Sequence, residues 1–272
     1  MNKENDGIGV TTESQNRLPI FQPSNKAVMV KDVEFETTYG KVKITGRLGQ
    51  IHKTLLEACL FLKEDYYYNA EDEYPTLKLL IDPYKIRKFM SKNGGDYSYD
   101  VIMNLFRDMK ETNIRIEKKN GWKGEGNLIS DVIDDKKEIT SKNQKIRKKK
   151  IVALGILATQ LIVKELKFFY NPKPIINLKN GISKAIARFL FTQDIKKMPR
   201  GGYKLDTLIS FVNRDKLTPA QMRKMRKNFL EDKEALEKEC NIFITKDKHV
   251  ILKKPPEVYA IEPVVESTKN GE

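Results

Sequence analysis

This sequence is poor in the residues from which chemical sites are usually built. Its 272 residues include two cysteines, two histidines and one tryptophan. Cys59 and Cys240 stand far apart, each within a helical pattern. They cannot supply a zinc cluster, and they read as buried free thiols of a reducing, cytoplasmic compartment. His52 and His249 lack the spacing of a metal pair. No glycine-rich loop ends in Lys-Ser or Lys-Thr at phosphate-loop spacing; the Gly121–Gly126 loop lacks that ending and suits a hairpin tip. Asp131, Asp134 and Asp135 could hold a metal on composition alone, but carboxylates at a strand end are usually solvated. Long apolar runs are also scarce. Ile151 to Val163 is too short to span a bilayer and contains Gly155, Thr159 and Gln160, so it reads as a buried strand passing into a helix. Met1 to Val10 has no apolar core and is not a signal peptide. These shortages point away from an enzyme, a cofactor, a metal or a membrane, and towards binding.

Positive charge is what the chain has in excess. Lys and Arg total 51 against 37 acidic residues, a net charge of +14 with a pI near 9.5. Such a field favours a polyanion, most often nucleic acid. A hydrophobic content of 39% permits real cores, and the length suits two ordinary domains.

The stretch from Thr218 to Pro255 organises the rest. Thr218-Pro219-Ala220-Gln221 is a helix start: an N-cap, a proline at the first position and a Gln at the third. Met222, Met225, Phe229 and Leu236 recur at helical spacing, and most of the cations fall off that stripe. A hairpin follows (Asn241 to Ile244, then Val250 to Leu252), and a short helix, Leu205 to Val212, precedes. Helix, turn, basic helix and hairpin is the order of a winged helix-turn-helix, which inserts its second helix into the major groove. The order recurs earlier. A helix from Tyr97-Ser98-Tyr99-Asp100 carries Ile102, Leu105, Phe106 and Met109 on one face, then Asn113 to Ile116 opens a hairpin expected to close through Leu128 to Val132. Asn-Ile-Arg-Ile and Asn-Ile-Phe-Ile occupy equivalent places in the two copies.

The expected fold class is therefore α+β, with two tandem winged helix-turn-helix domains and disordered termini. Residues 1–30 read as a disordered tail holding an apolar peptide, Arg17 to Phe21, which either docks a partner or folds back. Residues 31–138 form the first domain, with a hairpin around Tyr39-Gly40 and helices after Gly49 and Pro83. Residues 139–150 read as a basic linker, either solvated or tracking phosphates. Residues 151–256 form the second domain, with helices over 159–170 and 182–191, and 257–272 are a disordered tail.

Lys and Arg would neutralise phosphates, while Arg or Gln side chains would read base edges. In the second domain Gln221, Arg223, Lys224, Arg226 and Lys227 are the groove-facing candidates, with Lys204, Arg214 and Lys216 clamping phosphates. In the first, Arg107 and Lys110 lie on the second helix and Lys118, Lys119 and Lys123 on the wing beside Trp122, whose ring is expected to pack on its own hairpin. The partner is double-stranded DNA.

Gly46-Arg47-Leu48-Gly49-Gln50 with its following helix, the helix over Ile182 to Phe191, and the last third of the chain carry a resemblance. In element order, over roughly residues 30 to 255, the chain resembles plasmid replication initiators of the Rep and TrfA type. That resemblance implies binding of repeated origin sites (iterons), opening of a nearby AT-rich segment, and recruitment of the host replication initiator and helicase. It also implies dimers that repress their own gene and monomers that initiate. Arg17-Leu18-Pro19-Ile20-Phe21 is similar to the sliding-clamp-binding peptides of some initiators, with Arg17 where a Gln is expected. The alternative reading is a winged-helix transcription regulator with no role in origin opening; a basic RNA-associated protein is a third.

Overall fold

A computed structural model describes residues 9–37, 39–91, 97–140, 146–164, 167–193 and 195–254. The protein is α+β. The chain begins with β1 (Gly9–Thr12) and α1 (Glu13–Arg17), then forms the hairpin β2 (Val30–Glu36) and β3 (Gly40–Gly46). Next come α2 (Gln50–Leu62), β4 (Asp65–Tyr67), β5 (Lys78–Ile81), α3 (Pro83–Met90) and α4 (Tyr99–Glu111). They lead to β6 (Asn113–Lys118), β7 (Lys123–Gly126), β8 (Ile129–Thr140), β9 (Ile146–Leu154) and α5 (Ile156–Lys164). Two antiparallel sheets result, ordered β2-β3-β6-β7 and β4-β5-β9-β8.

The second part runs through β10 (Lys167–Tyr170), α6 (Lys173–Asn177), α7 (Gly181–Phe191) and a short 3-10 turn at Ile195–Lys197. It ends with β11 (Tyr203–Lys204), α8 (Leu205–Phe211), α9 (Pro219–Glu231), α10 (Lys233–Cys240), β12 (Ile242–Ile244) and β13 (His249–Leu252). β11, β13 and β12 form a third antiparallel sheet, in that order.

Local chemistry sets the helix starts. Asp82 caps α3 by accepting from Tyr84 N–H, with Pro83 at the first position. Ser98 caps α4 through Val101 N–H. Thr218 and Gln221 cap α9 reciprocally, at 3.3 and 2.8 Å. The α4 stripe of Ile102, Leu105, Phe106 and Met109 is buried. Gly46 is required where it stands: its φ is +142°, and a Cβ there would lie 2.2 Å from Thr112 Oγ1, against which β3 closes.

Two apolar cores form. The first gathers Phe35, Val42, Ile44, Leu55, Phe106 and Ile116 with Leu154, Leu157 and Leu161; the second gathers Tyr170, Ile186, Leu190, Leu208, Phe229 and Val250. This division moves several expectations. The first core extends past residue 151, through β9 and α5, because β9 pairs with β5 some seventy residues upstream. The expected basic linker, 139–150, instead supplies the end of β8 and the start of β9, paired as Glu138 with Lys148 and Thr140 with Ile146; residues 141–145 lie outside the described part. The helix expected over 159–170 ends at Lys164, and 167–170 is β10, drawn into a strand by pairing with β1. The hairpin after α4 closes through β7, while 129–132 crosses to the other sheet as part of β8. The helix expected to run from Thr218 through Leu236 breaks at Asp232, whose carboxylate turns aside to accept from the N–H groups of Lys179 and Asn180 at 3.0 and 2.9 Å.

The N-terminal segment is the largest departure. Residues 9–30 are ordered against the body rather than forming a tail. Leu18, Ile20 and Phe21 are 2, 0 and 4% exposed, so Arg17 to Phe21 is not presented as a docking peptide for a sliding clamp. Hydrophobic burial won over the polar surroundings that suggested disorder. The expected tail at 257–272, like Gly94-Gly95, lies outside the described residues.

Candidate nucleic-acid interface

On α9, Met222, Met225 and Phe229 turn towards the second core, with Phe229 fully buried. At 100° per residue, Arg223, Lys224 and Lys227 fall on the opposite side, and all three are exposed. Gln221 is exposed, but its side-chain oxygen accepts from Thr218 N–H, so it is engaged as a cap. Arg226 lies between the two faces and makes a two-pronged ion pair with Asp206 of α8, at 2.5 Å from each nitrogen. That pair links α8 to α9, and the hydrogen bond to the carboxylate raises the Arg226 pKa. Lys204, at the start of α8, and Lys216, in the α8–α9 turn, are exposed.

Arg214 departs from its expected role as a phosphate clamp. Its Nε donates to Pro19 O at 2.8 Å and its Nη2 to Ile20 O, and its guanidinium lies 5.9 Å from the centre of the Phe35 ring. Burial lowers its pKa to about 10. It fastens the N-terminal segment to the turn between α8 and α9.

In the first part, Arg107 and Lys110 are exposed on α4, and Lys110 pairs with Asp131 at 2.7 Å. Lys119 is exposed in the β6–β7 turn, and Lys123 pairs with Glu117 at 2.8 Å. Lys118 lies 5.2 Å from the centre of the Trp122 ring, which packs in part against the first core. A cleft of about 700 Å³ separates the β2–β3 turn from the α8–α9 turn, with Tyr39, Phe211, Lys216 and Met222 in its walls.

Two polar clusters escaped the sequence reading. In the first, Arg188 of α7 meets Glu57 of α2. Its Nη2 lies 2.6 Å from Glu57 Oε2, its Nη1 donates to Gln50 Oε1 at 2.6 Å, and Nη2 also reaches Thr54 at 3.0 Å. Tyr170 donates to Glu57 at 2.7 Å, and Lys53 reaches Gln15 at 2.9 Å. Lys53, Glu57 and Arg188 are at most 2% exposed. Burial opposes the Glu57 charge, but Arg188 and Lys53 hold its carboxyl below the ordinary value. In the second cluster, His52 Nδ1 accepts from Gly49 N–H at 3.0 Å, and its other nitrogen lies 3.1 Å from Asp108, which Arg47 also grips at 2.7 Å. Burial pushes the His52 pKa down. Lys53 and Glu57 stand at i, i+4 on the side of α2 opposite its Ile51–Leu55–Cys59 stripe, so the sequence carries no local signal that they are buried.

Both cysteines are buried and free. Among the described residues no group of three or more metal-ligating side chains forms, and no helix is long and apolar enough to cross a membrane.

No protein-family profile and no curated protein matches the chain. Two solved structures are similar in fold, both of domains 2 and 3 of RctB. One covers 83% of this chain and 85% of its own, with a TM-score of 0.51 and 12% identity. The other covers 85% of this chain and 92% of its own, with a TM-score of 0.49 and 12% identity. At 12% identity the likeness to the first of these is one of fold, and it spans both parts of the chain.

Proposed function

We propose that this protein is a sequence-specific, double-stranded DNA-binding replication initiator that acts by binding, not turnover. It would be built of two winged helix-turn-helix units and would recognise repeated origin sites. The observation that carries the reading is the exposed row Arg223, Lys224 and Lys227 on the side of α9 away from its buried Met222–Met225–Phe229 stripe. In this reading α9 enters the major groove by its N-terminal half, α8 braces it through Asp206–Arg226, and the β12–β13 turn flanks the groove. Lys204 and Lys216 contact phosphates, giving affinity and steep salt dependence. In the first unit α4 would take the matching place, with Arg107 on its exposed side. The fold shared with domains 2 and 3 of RctB and the resemblance to plasmid initiators support the replication reading.

The test is a gel shift with the DNA flanking the protein's own gene, in the presence of random competitor. Discrete, competitor-resistant complexes that step up in number with direct repeats are expected. A smear removed by competitor would overturn sequence-specific initiation, and binding confined to a palindrome would favour a transcription regulator.

A further inference from the structure

β9 is flanked on both sides only as far as Lys150, which pairs with Ile81 of β5. Beyond that rung β8 and β9 continue as a two-stranded ribbon, after an irregularity between Asp134 and Glu138. At the root of the ribbon, where it meets the first turns of α3 and α4, lies a groove of about 350 Å³.

The two carboxylates in this groove are already committed. Asp82 accepts from Tyr84 N–H at 2.8 Å, and Asp134 pairs with Lys150. Two cations remain, Arg87 and Lys148, for which no ion pair forms among the described residues. Tyr84 and Tyr99 line the groove, each 46% exposed. Arg87 lies 5.4 Å from the centre of the Tyr84 ring, and Lys150 5.7 Å from that of Tyr99. The groove thus holds three cations, Arg87, Lys148 and Lys150, against two carboxylates, next to aromatic surface.

We propose that this groove is a second DNA contact, one that holds the sugar–phosphate backbone of duplex DNA, with Arg87 and Lys148 on phosphates and the two tyrosines against deoxyribose. The inference rests on the DNA-binding reading above and adds a backbone contact at the first turn of α4, apart from Arg107, Lys110 and the β6–β7 turn. Duplex backbone fits better than stacked single-strand bases, because a cation already covers a face of each tyrosine ring. The groove positions DNA and reads no sequence.

The test uses the full chain and a fluorescein-labelled random duplex of about 40 base pairs, with its single strand as a second probe, titrated from about 50 to 200 mM salt. Each phosphate contact contributes about 0.9 to the slope of log affinity against log salt, so Arg87→Ala with Lys148→Ala is expected to lower the duplex slope by about 1.8. Thermal unfolding checks the fold, and Arg87→Gln with Lys148→Gln repeats the measurement with less loss of packing. The charge-matched control removes two exposed lysines elsewhere, Lys31→Ala with Lys238→Ala, and is expected to leave the slope in place. An unchanged slope in the groove variant, or an equal fall in the control, overturns the groove while leaving DNA binding intact. A loss seen only with the single strand overturns the duplex assignment. A wild-type chain that binds no duplex removes the proposed function, and the groove with it.

Discussion

Arg188 on α7 and Glu57 on α2 face each other across the two cores, Nη2 to Oε2 at 2.6 Å, both at 2% exposure. The pair joins parts of the chain 131 residues apart. A buried ion pair gains little over an apolar pair of similar shape, because both ions lose their water. Half a pair is much worse. Arg188→Met should therefore destabilise the protein by about 3–5 kcal/mol, while Glu57→Leu added to it should recover a good part of that loss. Urea denaturation of the two variants checks this; a double variant less stable than Arg188→Met would show that the remaining cluster, with Lys53, depends on the carboxylate.

Arg223→Ala with Lys227→Ala removes two exposed cations from the outer face of α9. No core contact is lost, so the thermal midpoint should stay within a degree or two of wild type, since surface changes lie within about 0.5 kcal/mol. DNA affinity should fall, with the salt slope lower by about 1.8. Unaltered DNA affinity would remove α9 as the recognition helix.

Arg214→Ala should give the opposite result. Its guanidinium bonds to the carbonyls of Pro19 and Ile20, so the substitution leaves buried acceptors without donors, at about 1–3 kcal/mol. Stability should fall with the salt slope of DNA binding unchanged. A lower slope with full stability would restore Arg214 as a phosphate contact.

His52 gives a pH dependence whose sign is fixed by burial. Its pKa lies below the ordinary 6.5, so the unfolded chain takes up a proton that the folded chain resists. The associated stability is complete above 6.5 and is lost as pH falls through the depressed pKa, with a slope of at most about 1.4 kcal/mol per pH unit. His52→Gln keeps a side-chain acceptor for Gly49 N–H, as a Gln at the third helical position does, but cannot titrate. Denaturation between pH 7 and 5 should show a flatter decline in the variant. Parallel declines would assign the effect to other groups.

Much of the chain was legible from sequence because its signals are local. Capping residues fix where α3, α4 and α9 begin, and helical spacing identifies the buried stripes of α4 and α9 with the cations left outside. The β2–β3 hairpin, α2 and the strand passing into a helix after Ile151 were readable for the same reason. Tertiary structure decided what depends on distant partners. The polar run 139–150 looks like a linker until β8 and β9 pair along it, with β5 joining β9 from Lys150 onward. Residues 9–30 look like a tail until Leu18, Ile20 and Phe21 find the core and Arg214 holds their backbone. Lys53, Glu57 and Arg188 read as surface charges on their helices, and only the approach of α2 to α7 buries them together. Local periodicity sets each helix and its face, but which strand gains a neighbour and which charge loses its water are long-range outcomes of packing that a short stretch of sequence does not carry.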